Sequence, residues 1–336
     1  MEWRTRNLFK LICAILVAGC CVGGCRQKEW QKSSGAAWAT AYHITYRSDI
    51  SLEDSIQAVI AAVNSSLSVF EANSTISRIN RNEDVAVDSL TIEVFEMSMF
   101  VNSLSNGAFD PTVSPAIDFW GFGYRQIDND YASLDSIRSL VGLNDCLISD
   151  GRILKKSPDT EFNFSAIAKG YGCDLIGRMF RRNGVDDFLV EIGGEISAYG
   201  LNPQGRPWKI GIVTPEGFEG EGLFVGLRDC GMATSGNYRN YRETETGQIG
   251  HTINPKTCLP VENGVFSATV IAQDAMFADA LATACMVLQP LEAIGMINGI
   301  DGAEVMLIVK DKDRESGYGV EMSEGFKNYI YENQKL

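Results

Sequence analysis

Hydrophobic residues recur at helical spacing in several parts of the chain. Apolar positions three and four residues apart predict a helix over residues 51–69 and a second helix from about Ser89 to Ser105. A third helix is predicted to begin within residues 162–174 and to end at Asn183-Gly184. The clearest helical pattern covers residues 274–288, where alanine, leucine and methionine fill the interior.

Alternating apolar and polar positions predict several β-strands. They cover Ala37–Tyr46, Phe188–Tyr199, Trp208–Val213, Gly222–Leu227, Phe266–Ala272 and Val305–Val309, the last of these as the closing strand. The paired glycines Gly193-Gly194 interrupt one strand, which predicts a bulge or the close approach of a ligand. Thr234-Ser-Gly236 is predicted to contain a turn. Because helices and strands follow one another irregularly, we predict an α+β fold with mixed or mostly antiparallel sheets and packed helices.

The helix predicted over residues 274–288 carries two polar side chains on an apolar background. Asp274 can cap its amino end, and Pro290 follows its carboxyl end. Asp279 and Thr283 lie four residues apart, so their oxygen atoms leave the same face one turn apart. A buried carboxylate is costly unless it is paired or binds a metal, and oxygen ligands suit Mg²⁺ or Ca²⁺. The alternative is structural: Asp279 would cap a neighbouring loop, and Thr283 would bond back to its own helix.

Composition and charge limit the classes of function. The chain has 336 residues, of which 45% are hydrophobic and 21% charged, as in folded globular proteins. Its formal net charge is −14 at pH 7. A negative surface argues against general binding to nucleic acid, which depends on neutralising phosphates. We therefore expect no nucleic-acid partner.

The amino-terminal segment resembles the leader of an exported lipoprotein. A basic start leads into apolar residues and then Ala18-Gly19-Cys20, and small residues directly before a cysteine match the lipobox of bacterial lipoproteins. We predict a signal peptide over residues 1–19, lipidation of Cys20 and a linker within residues 20–36. The lipid would anchor the protein to a membrane on its periplasmic side, with the inner membrane expected. The alternatives are an ordinary secretory signal or a short anchor, and Cys25 is a second candidate site.

The rest of the chain, residues 37–336, is predicted to form the functional domain. Residues 136–151 predict a short helix and a strand, within a small inserted subdomain of about residues 124–160. The cysteines of this domain show no zinc-site spacing, and buried free thiols are the expected state. A disulfide between Cys230 and Cys258 stays open as the alternative.

Eight short segments together resemble the motifs of the ApbE family of flavin transferases. In chain order they are Ser74–Asn80, Phe109–Val113, Trp120–Gly123, Ala166–Tyr171, Glu191–Glu195, Thr234–Arg239, His251–Pro255 and Ala278–Thr283. The resemblance extends from about Trp38 to Val309. Members of this family attach FMN to proteins and use FAD as the donor. The resemblance therefore implies an ApbE-like fold and an enzyme whose substrate is FAD.

The resemblance also implies roles for individual residues. The metal ligands would be Asp279, Thr283 and the main-chain carbonyl of Ala166, with Mg²⁺ as the metal. Residues implied to contact FAD are Trp38, Phe70, Ala108, Phe109, Asp110, Asn163, Lys169 and His251. Asn163 stands where the family commonly has aspartate, and Phe70 where many members have tyrosine. Glu195, Thr234, Ser235 and Arg239 are second choices for positioning the substrate.

The reaction that the resemblance implies is attack by a threonine or serine hydroxyl of an acceptor protein on the FMN-side phosphorus of FAD. AMP would leave, and His251 is the candidate general base because its ordinary pKa lies near neutral pH. The implied acceptors are exported subunits of Rnf-type complexes and of the sodium-pumping quinone reductase. Alternatives are a Mg²⁺-dependent FAD pyrophosphatase that releases FMN and AMP, a non-catalytic FAD-binding lipoprotein, and a structural surface lipoprotein.

Overall fold

The computed structural model describes residues 28–123, 133–215, 223–237, 241–244 and 247–331. The predicted signal peptide, the predicted lipidation site Cys20, the candidate Arg239 and residues 124–132 of the predicted insert lie outside this range. Those interpretations stay predictions. Within the part of the chain that is described, we find no helix with the length and hydrophobicity needed to span a bilayer.

A central antiparallel sheet of eight strands organises the fold. In chain order, the strands of this sheet and of three smaller hairpins are β1 Glu29–Ala37, β2 Thr40–Ser48, β3 Leu147–Ser149, β4 Arg152–Leu154, β5 Phe188–Ile192, β6 Glu195–Tyr199, β7 Trp208–Gly211, β8 Phe224–Leu227, β9 Cys230–Gly236, β10 Tyr241–Thr244, β11 Gly247–Gly250, β12 Val265–Ala272, β13 Glu304–Lys310 and β14 Tyr318–Met322. The order across the large sheet is β1-β2-β5-β6-β9-β12-β13-β14. The pairs β3-β4, β7-β8 and β10-β11 form separate antiparallel hairpins.

The helices of the described residues complete the α+β architecture that the sequence predicts. They are α1 Glu53–Leu67, α2 Thr75–Asn80, α3 Ser89–Leu104, α4 Ser114–Phe119, α5 Leu134–Leu140, α6 Ala168–Arg182, α7 Ala275–Val287 and α8 Pro290–Asn298. Short 3₁₀ segments occur at Pro111–Val113, Leu143–Asp145 and Glu324–Tyr329. The predicted fold class is confirmed, and every pairing in the sheets is antiparallel.

Both faces of the large sheet are covered, which explains the long apolar runs in its central strands. In β13, Val305, Leu307 and Val309 pack into the core that contains α7. Met306 and Ile308 point to the opposite face and pack with the β7-β8 hairpin and the 324–329 segment. Continuous apolar runs are usual in parallel sheets buried on both sides, and here the same burial produces them in an antiparallel sheet.

Helix α7 is held in place at its amino end by two aspartates. Asp274 accepts a hydrogen bond from Phe277 N at 2.8 Å, which confirms its predicted role as the cap. Asp174, on α6, accepts from Ala275 N at 3.0 Å and from Met276 N at 2.7 Å. These carboxylates satisfy amide groups that a helix start leaves without partners, and negative charge is favourable at this end of the helix dipole. The two hydrogen bonds to Asp174 therefore hold the start of α7 against α6.

The linker prediction is wrong over residues 29–36, which belong to β1. This strand lies at the edge of the sheet and pairs with β2 through a turn at Trp38-Ala39. Most of its side chains are exposed or half-buried, so its polar composition resembled that of a linker. Edge strands commonly carry polar residues because one side meets solvent. Trp38 and Ala39 both have positive φ, at 50° and 61°, as a two-residue hairpin turn requires.

Other local predictions also need correction. Gly193-Gly194 does not break one strand but forms the two-residue turn between β5 and β6, with φ of 68° and 106°. Thr234-Ser-Gly236 lies in β9, where pairing with β12 makes it extended. Pro290 follows the end of α7 as predicted and also starts α8, whereas β13 is not the closing strand, because β14 follows it. All five cysteines of the described residues are free thiols, so Cys230 and Cys258 are not paired.

Candidate active site

A cavity of about 670 Å³ opens where α7 meets the sheet and the loops around it. It is large enough for an extended cofactor-sized ligand. The cavity is lined by most of the residues that the sequence singles out: Ala108, Phe109, Asp110, Asn163, Ala166, Lys169, His251, Asp279 and Thr283, with Glu195, Thr234 and Ser235 among the second choices. These residues come from widely separated parts of the chain, and the fold brings them to one place.

Two predicted FAD contacts do not line this cavity. Phe70 is 76% exposed on the loop after α1. Trp38 lies at the β1-β2 turn, where its ring packs between two apolar clusters. A methyl group on Gly172 of α6 would lie 2.2 Å from this ring, so the indole rests directly on the helix backbone. The structure therefore gives Trp38 a packing role, and contact of either residue with FAD stays a prediction.

Asp279 points from the middle of α7 toward the start of α6. It is 1% exposed, and its Oδ2 accepts a hydrogen bond from Gly170 N at 3.0 Å. The structural alternative considered for this residue is thus present, since Asp279 caps the first turn of α6. Thr283 Oγ1 lies one turn further along α7, 3.4 Å from Ser235 Oγ. Both residues line the cavity, as their four-residue spacing predicts.

Lys169 joins two buried carboxylates. Its Nζ lies 2.5 Å from Glu195 Oε1 and 3.9 Å from Asp279 Oδ2. Burial disfavours the ammonium, but the charges of Asp279 and Glu195 outweigh burial and raise the pKa of Lys169. Burial also raises the pKa of Glu195 and of Asp279, and Lys169 opposes both shifts. One ammonium compensates only one of the two carboxylates, so the cluster has an excess of negative charge when all three groups are ionised.

A divalent cation fits this set of groups. Glu195 Oε2 is buried and has no hydrogen-bond partner among the described residues, so the cluster can accept more positive charge or a further donor. Asp279, the Thr283 hydroxyl and the Ala166 carbonyl belong to residues that line the same cavity, and hard oxygen donors suit Mg²⁺. Within the described ranges, no group of three or more His, Cys, Asp or Glu side chains forms a metal cluster. Mg²⁺ commonly binds through one or two carboxylates and takes further oxygens from substrate phosphates.

The segment around Asp110 forms a rigid wall of the cavity. Asp110 Oδ1 accepts from Thr112 N at 2.8 Å and from Thr112 Oγ1 at 2.6 Å, and Oδ2 accepts from Leu143 N at 3.0 Å. Its carboxylate is thus occupied by the protein itself. Asn163 N donates to Pro111 O at 2.8 Å, which links this wall to the segment that leads into α6. The surface formed by Ala108, Phe109 and Asp110, which the resemblance implies as FAD contacts, is therefore held in shape by the hydrogen bonds of Asp110.

His251 lies on the loop between β11 and β12. It lines the cavity, and its ring makes an edge contact with Phe122 at 6.5 Å between ring centroids. The following residues are held by an antiparallel bridge between Ile253 and Pro260 and by the hydrogen bond from Cys258 N to Asn254 O at 2.7 Å. A loop closed in this way presents the imidazole from a defined position.

Some cavity residues were not predicted from the sequence as site residues. Glu191 and the Gly193-Gly194 turn line the cavity, as do Ile210 of β7 and Met286 of α7. The paired glycines did signal the close approach of a ligand, although the strand geometry inferred from them was wrong. Glu191 is marked only by its place in the Glu191–Glu195 motif, and Ile210 and Met286 carry no local signal that separates them from ordinary strand and helix positions.

Comparison with known proteins identifies the family. The model of the ApbE family matches residues 38–307. The chain belongs to the ApbE family. Its curated relatives include FAD:protein FMN transferase of Vibrio cholerae, which is 32% identical over 337 residues and covers 96% of this chain and 98% of the relative. The Escherichia coli K12 FAD:protein FMN transferase is 30% identical over 311 residues, covering 89% of this chain and 88% of the relative.

Solved structures agree with the ApbE assignment. The flavin transferase ApbE of Vibrio cholerae superposes with a TM-score of 0.80 at 31% identity, covering 90% of this chain and 99% of that one. The ApbE protein of Thermotoga maritima gives a TM-score of 0.78 at 26% identity, covering 90% and 100%. The predicted resemblance to ApbE is thus confirmed for the fold, and the chain is an enzyme of this family.

Proposed function

We propose that this chain is a FAD:protein FMN transferase that uses a divalent cation, with Mg²⁺ expected. The observation that carries the proposal is one cavity lined by Lys169, His251, Asp279 and Thr283, in a chain whose relatives bear that name. Such a cavity unites a cation for a diphosphate, a candidate base and hard oxygen donors. Mere binding of flavin needs no base beside a metal site, so an enzyme is favoured over a carrier.

In the proposed reaction, the hydroxyl oxygen of an acceptor threonine or serine forms a bond to the FMN-side phosphorus of FAD. The bond from that phosphorus to the oxygen bridging the two phosphates breaks, and AMP leaves. His251 takes the proton of the attacking hydroxyl, and Lys169 places positive charge beside the diphosphate. Asp279, Thr283 and the Ala166 carbonyl would hold the metal, which when bound supplies charge neutralisation for the phosphates. The rest of the cavity orients FAD and limits the access of water.

The decisive assay mixes the protein with FAD, Mg²⁺ and an Rnf-type acceptor domain, and follows intact acceptor mass and free nucleotides. We expect the acceptor to gain one FMN unit as AMP appears, and chelation of the metal to stop both. Asp279→Asn should abolish turnover, because the carboxamide loses the charge needed by the metal. Asp84→Asn is the matched control, since Asp84 is exposed, pairs with Arg152 and does not line the cavity.

The same assay separates the competing reaction. Release of free FMN and AMP with an unchanged acceptor mass, repeated with an acceptor from the sodium-pumping quinone reductase, would identify a FAD pyrophosphatase instead. His251→Ala tests the proposed base: turnover should fall by about 100-fold or more while FAD affinity is retained. Full turnover of His251→Ala would show that another group accepts the proton.

We also propose that Cys20 carries the lipid anchor and that the domain works on the periplasmic side of the inner membrane. The support is the apolar leader that ends in Ala18-Gly19-Cys20. Cys20→Ser should move the protein from the membrane fraction to the soluble periplasm, whereas Cys21→Ser should leave it membrane-bound. Equal membrane retention of both variants would contradict lipidation at Cys20.

A further inference from the structure

Glu195 presents a hydrogen-bonding anomaly inside the candidate active site. It is the first residue of β6, directly after the Gly193-Gly194 turn, and only 4% exposed. Its Oε1 accepts from Lys169 Nζ at 2.5 Å. Its Oε2 is buried and has no hydrogen-bond partner among the described residues. A buried carboxylate oxygen without a donor is costly, and such a group in a folded protein calls for an explanation.

The surroundings of Glu195 indicate a donor that comes from a ligand. The residue lines the cavity, together with Lys169 and the glycine turn. A methyl group on Gly193 would lie 2.8 Å from Thr40 Cγ2 and 3.3 Å from Glu195 Oε2, so glycine at this position leaves room for both side chains. The terminal torsion of glutamate is soft, so a small rotation turns Oε2 toward the cavity while Oε1 keeps its bond to Lys169.

The chemistry of the site indicates that the group donating to Glu195 Oε2 is a hydroxyl. Under the proposed function, on which this inference rests, Lys169 lies beside the diphosphate of FAD. Under that function the reacting phosphate is the one on the FMN side, and we place the other oxygen of the same Glu195 carboxylate beside it. The donors there are the hydroxyls of the ribityl chain and the hydroxyl of the incoming acceptor, whereas the N–H of the flavin ring lies at the far end of the cofactor.

We propose that Glu195 is a substrate-binding residue whose Oε2 accepts a hydrogen bond from a hydroxyl group next to the reacting phosphate. The ribityl chain and the acceptor side chain offer the same chemistry. The two sources differ in when the bond forms, because the ribityl hydroxyl arrives with FAD and the acceptor hydroxyl arrives with the protein. Binding measurements without the acceptor therefore separate them.

The experiment measures the affinities of FAD, FMN and ADP for the full-length protein and for Glu195→Gln, by calorimetry in the presence of Mg²⁺. The carboxamide can still accept from Lys169 but presents an N–H₂ group where Oε2 lay, so a donor meets a donor. ADP carries a diphosphate without a ribityl chain. Glu83→Gln is the control for the same chemical change, because Glu83 pairs with Arg78 and Arg81 at the surface and does not line the cavity.

If the donor is the ribityl hydroxyl, Glu195→Gln weakens FAD and FMN binding at least tenfold and leaves ADP binding unchanged. If the donor is the acceptor hydroxyl, all three affinities stay the same and the KM for the acceptor rises at least tenfold. Either result supports the proposal when Glu83→Gln shows neither effect. A wild-type protein that binds FAD and FMN but transfers no FMN would refute the proposed function while leaving the affinity comparison valid.

Four results would overturn the inference. Equal weakening of FAD, FMN and ADP would mean that Glu195 only positions Lys169, since all three ligands carry phosphates, and weakening of FAD and ADP alone would place the donor on the AMP ribose. Loss of Mn²⁺ affinity with unchanged FMN affinity and unchanged acceptor KM would make Glu195 a metal ligand. No change in any affinity or in the acceptor KM would show that Oε2 contacts no substrate.

Discussion

Gly170 is the point at which α6 touches α7, and an added methyl group there has no space. A Cβ atom at Gly170 would lie 2.2 Å from Ala275 O and 2.9 Å from Asp279 Cβ. Neither neighbour can rotate away, because one is main chain and the other is the first atom of a side chain on a packed helix. The substitution Gly170→Ala must therefore separate the two helices by about 1 Å to restore ordinary contacts.

The cost of this separation follows from overpacking. An extra methyl group in a close-packed core lowers the unfolding free energy by about 1–3 kcal/mol. Because its neighbours are rigid, Gly170→Ala should lie near the upper end of this range. Alanine is the better helix former, so replacing glycine by alanine within a helix raises the unfolding free energy by up to about 1 kcal/mol. The net loss is about 2 kcal/mol, which lowers the melting temperature by about 3 °C for a chain of this size. Because Lys169 and Asp279 lie on the two separated helices, kcat should also fall by about 100-fold.

Gly295→Ala provides the matched control for Gly170→Ala. Gly295 lies inside α8, and a Cβ atom there would meet nothing within 4 Å. The same chemical change should therefore raise the free energy of unfolding by about 1 kcal/mol and leave kcat unchanged. Stability is measured by urea denaturation and thermal melting, and kcat by the release of AMP. If Gly170→Ala matched Gly295→Ala in both stability and kcat, the close helix contact would not exist as described.

Three further perturbations test other parts of the structure. Burial raises the pKa of Asp174 to about 7, above the unfolded value of about 3.9, so this group loses its contribution to stability as pH rises between those two values. In urea denaturation, the wild type should lose about 2 kcal/mol of unfolding free energy relative to Asp174→Asn from about pH 5.5 to about pH 8. A difference between the two proteins that does not change with pH would contradict this. Phe180 is fully buried, and its ring stacks on that of Tyr46 at 4.6 Å between centroids. The substitution Phe180→Ala should lower the unfolding free energy by about 3–5 kcal/mol, and a loss below about 1 kcal/mol in urea denaturation would contradict that packing. Asn80→Ala removes both side-chain hydrogen bonds to the main chain of Phe162, at 2.8 and 2.9 Å, and should cost about 2–4 kcal/mol of unfolding free energy. FAD binding should also weaken. Unchanged FAD affinity in calorimetry would show that these two hydrogen bonds do not support the cavity wall.

Local sequence signals predicted the helices of the site well. The helix α7 has a capping aspartate, strong helix formers and a proline after its end, and all of these act within a few residues. The spacing of Asp279 and Thr283 then places both on one face, as found. The ApbE resemblance added Lys169 and His251, whose positions in the chain carry no such local pattern.

Strand boundaries were predicted less well, because strands depend on partners that lie far away in the chain. β1 resembles a linker because most of its side chains meet solvent at the sheet edge. Residues 234–236 are extended because β12 pairs with them, although their composition favours a turn. The two glycines after β5 form a hairpin turn only because β6 folds back onto β5.

The sequence by itself determined the family, the α+β class and the polar face of α7, since each depends on residue types at fixed spacing along the chain. Tertiary structure alone decided how those residues act on one another. Gly170 and Asp279 are 109 positions apart and form a hydrogen bond, and Lys169 and Glu195 are 26 positions apart and form an ion pair. No local pattern predicts such pairs, because packing of α6 against α7 and the sheet creates the low-dielectric space in which their charges interact strongly.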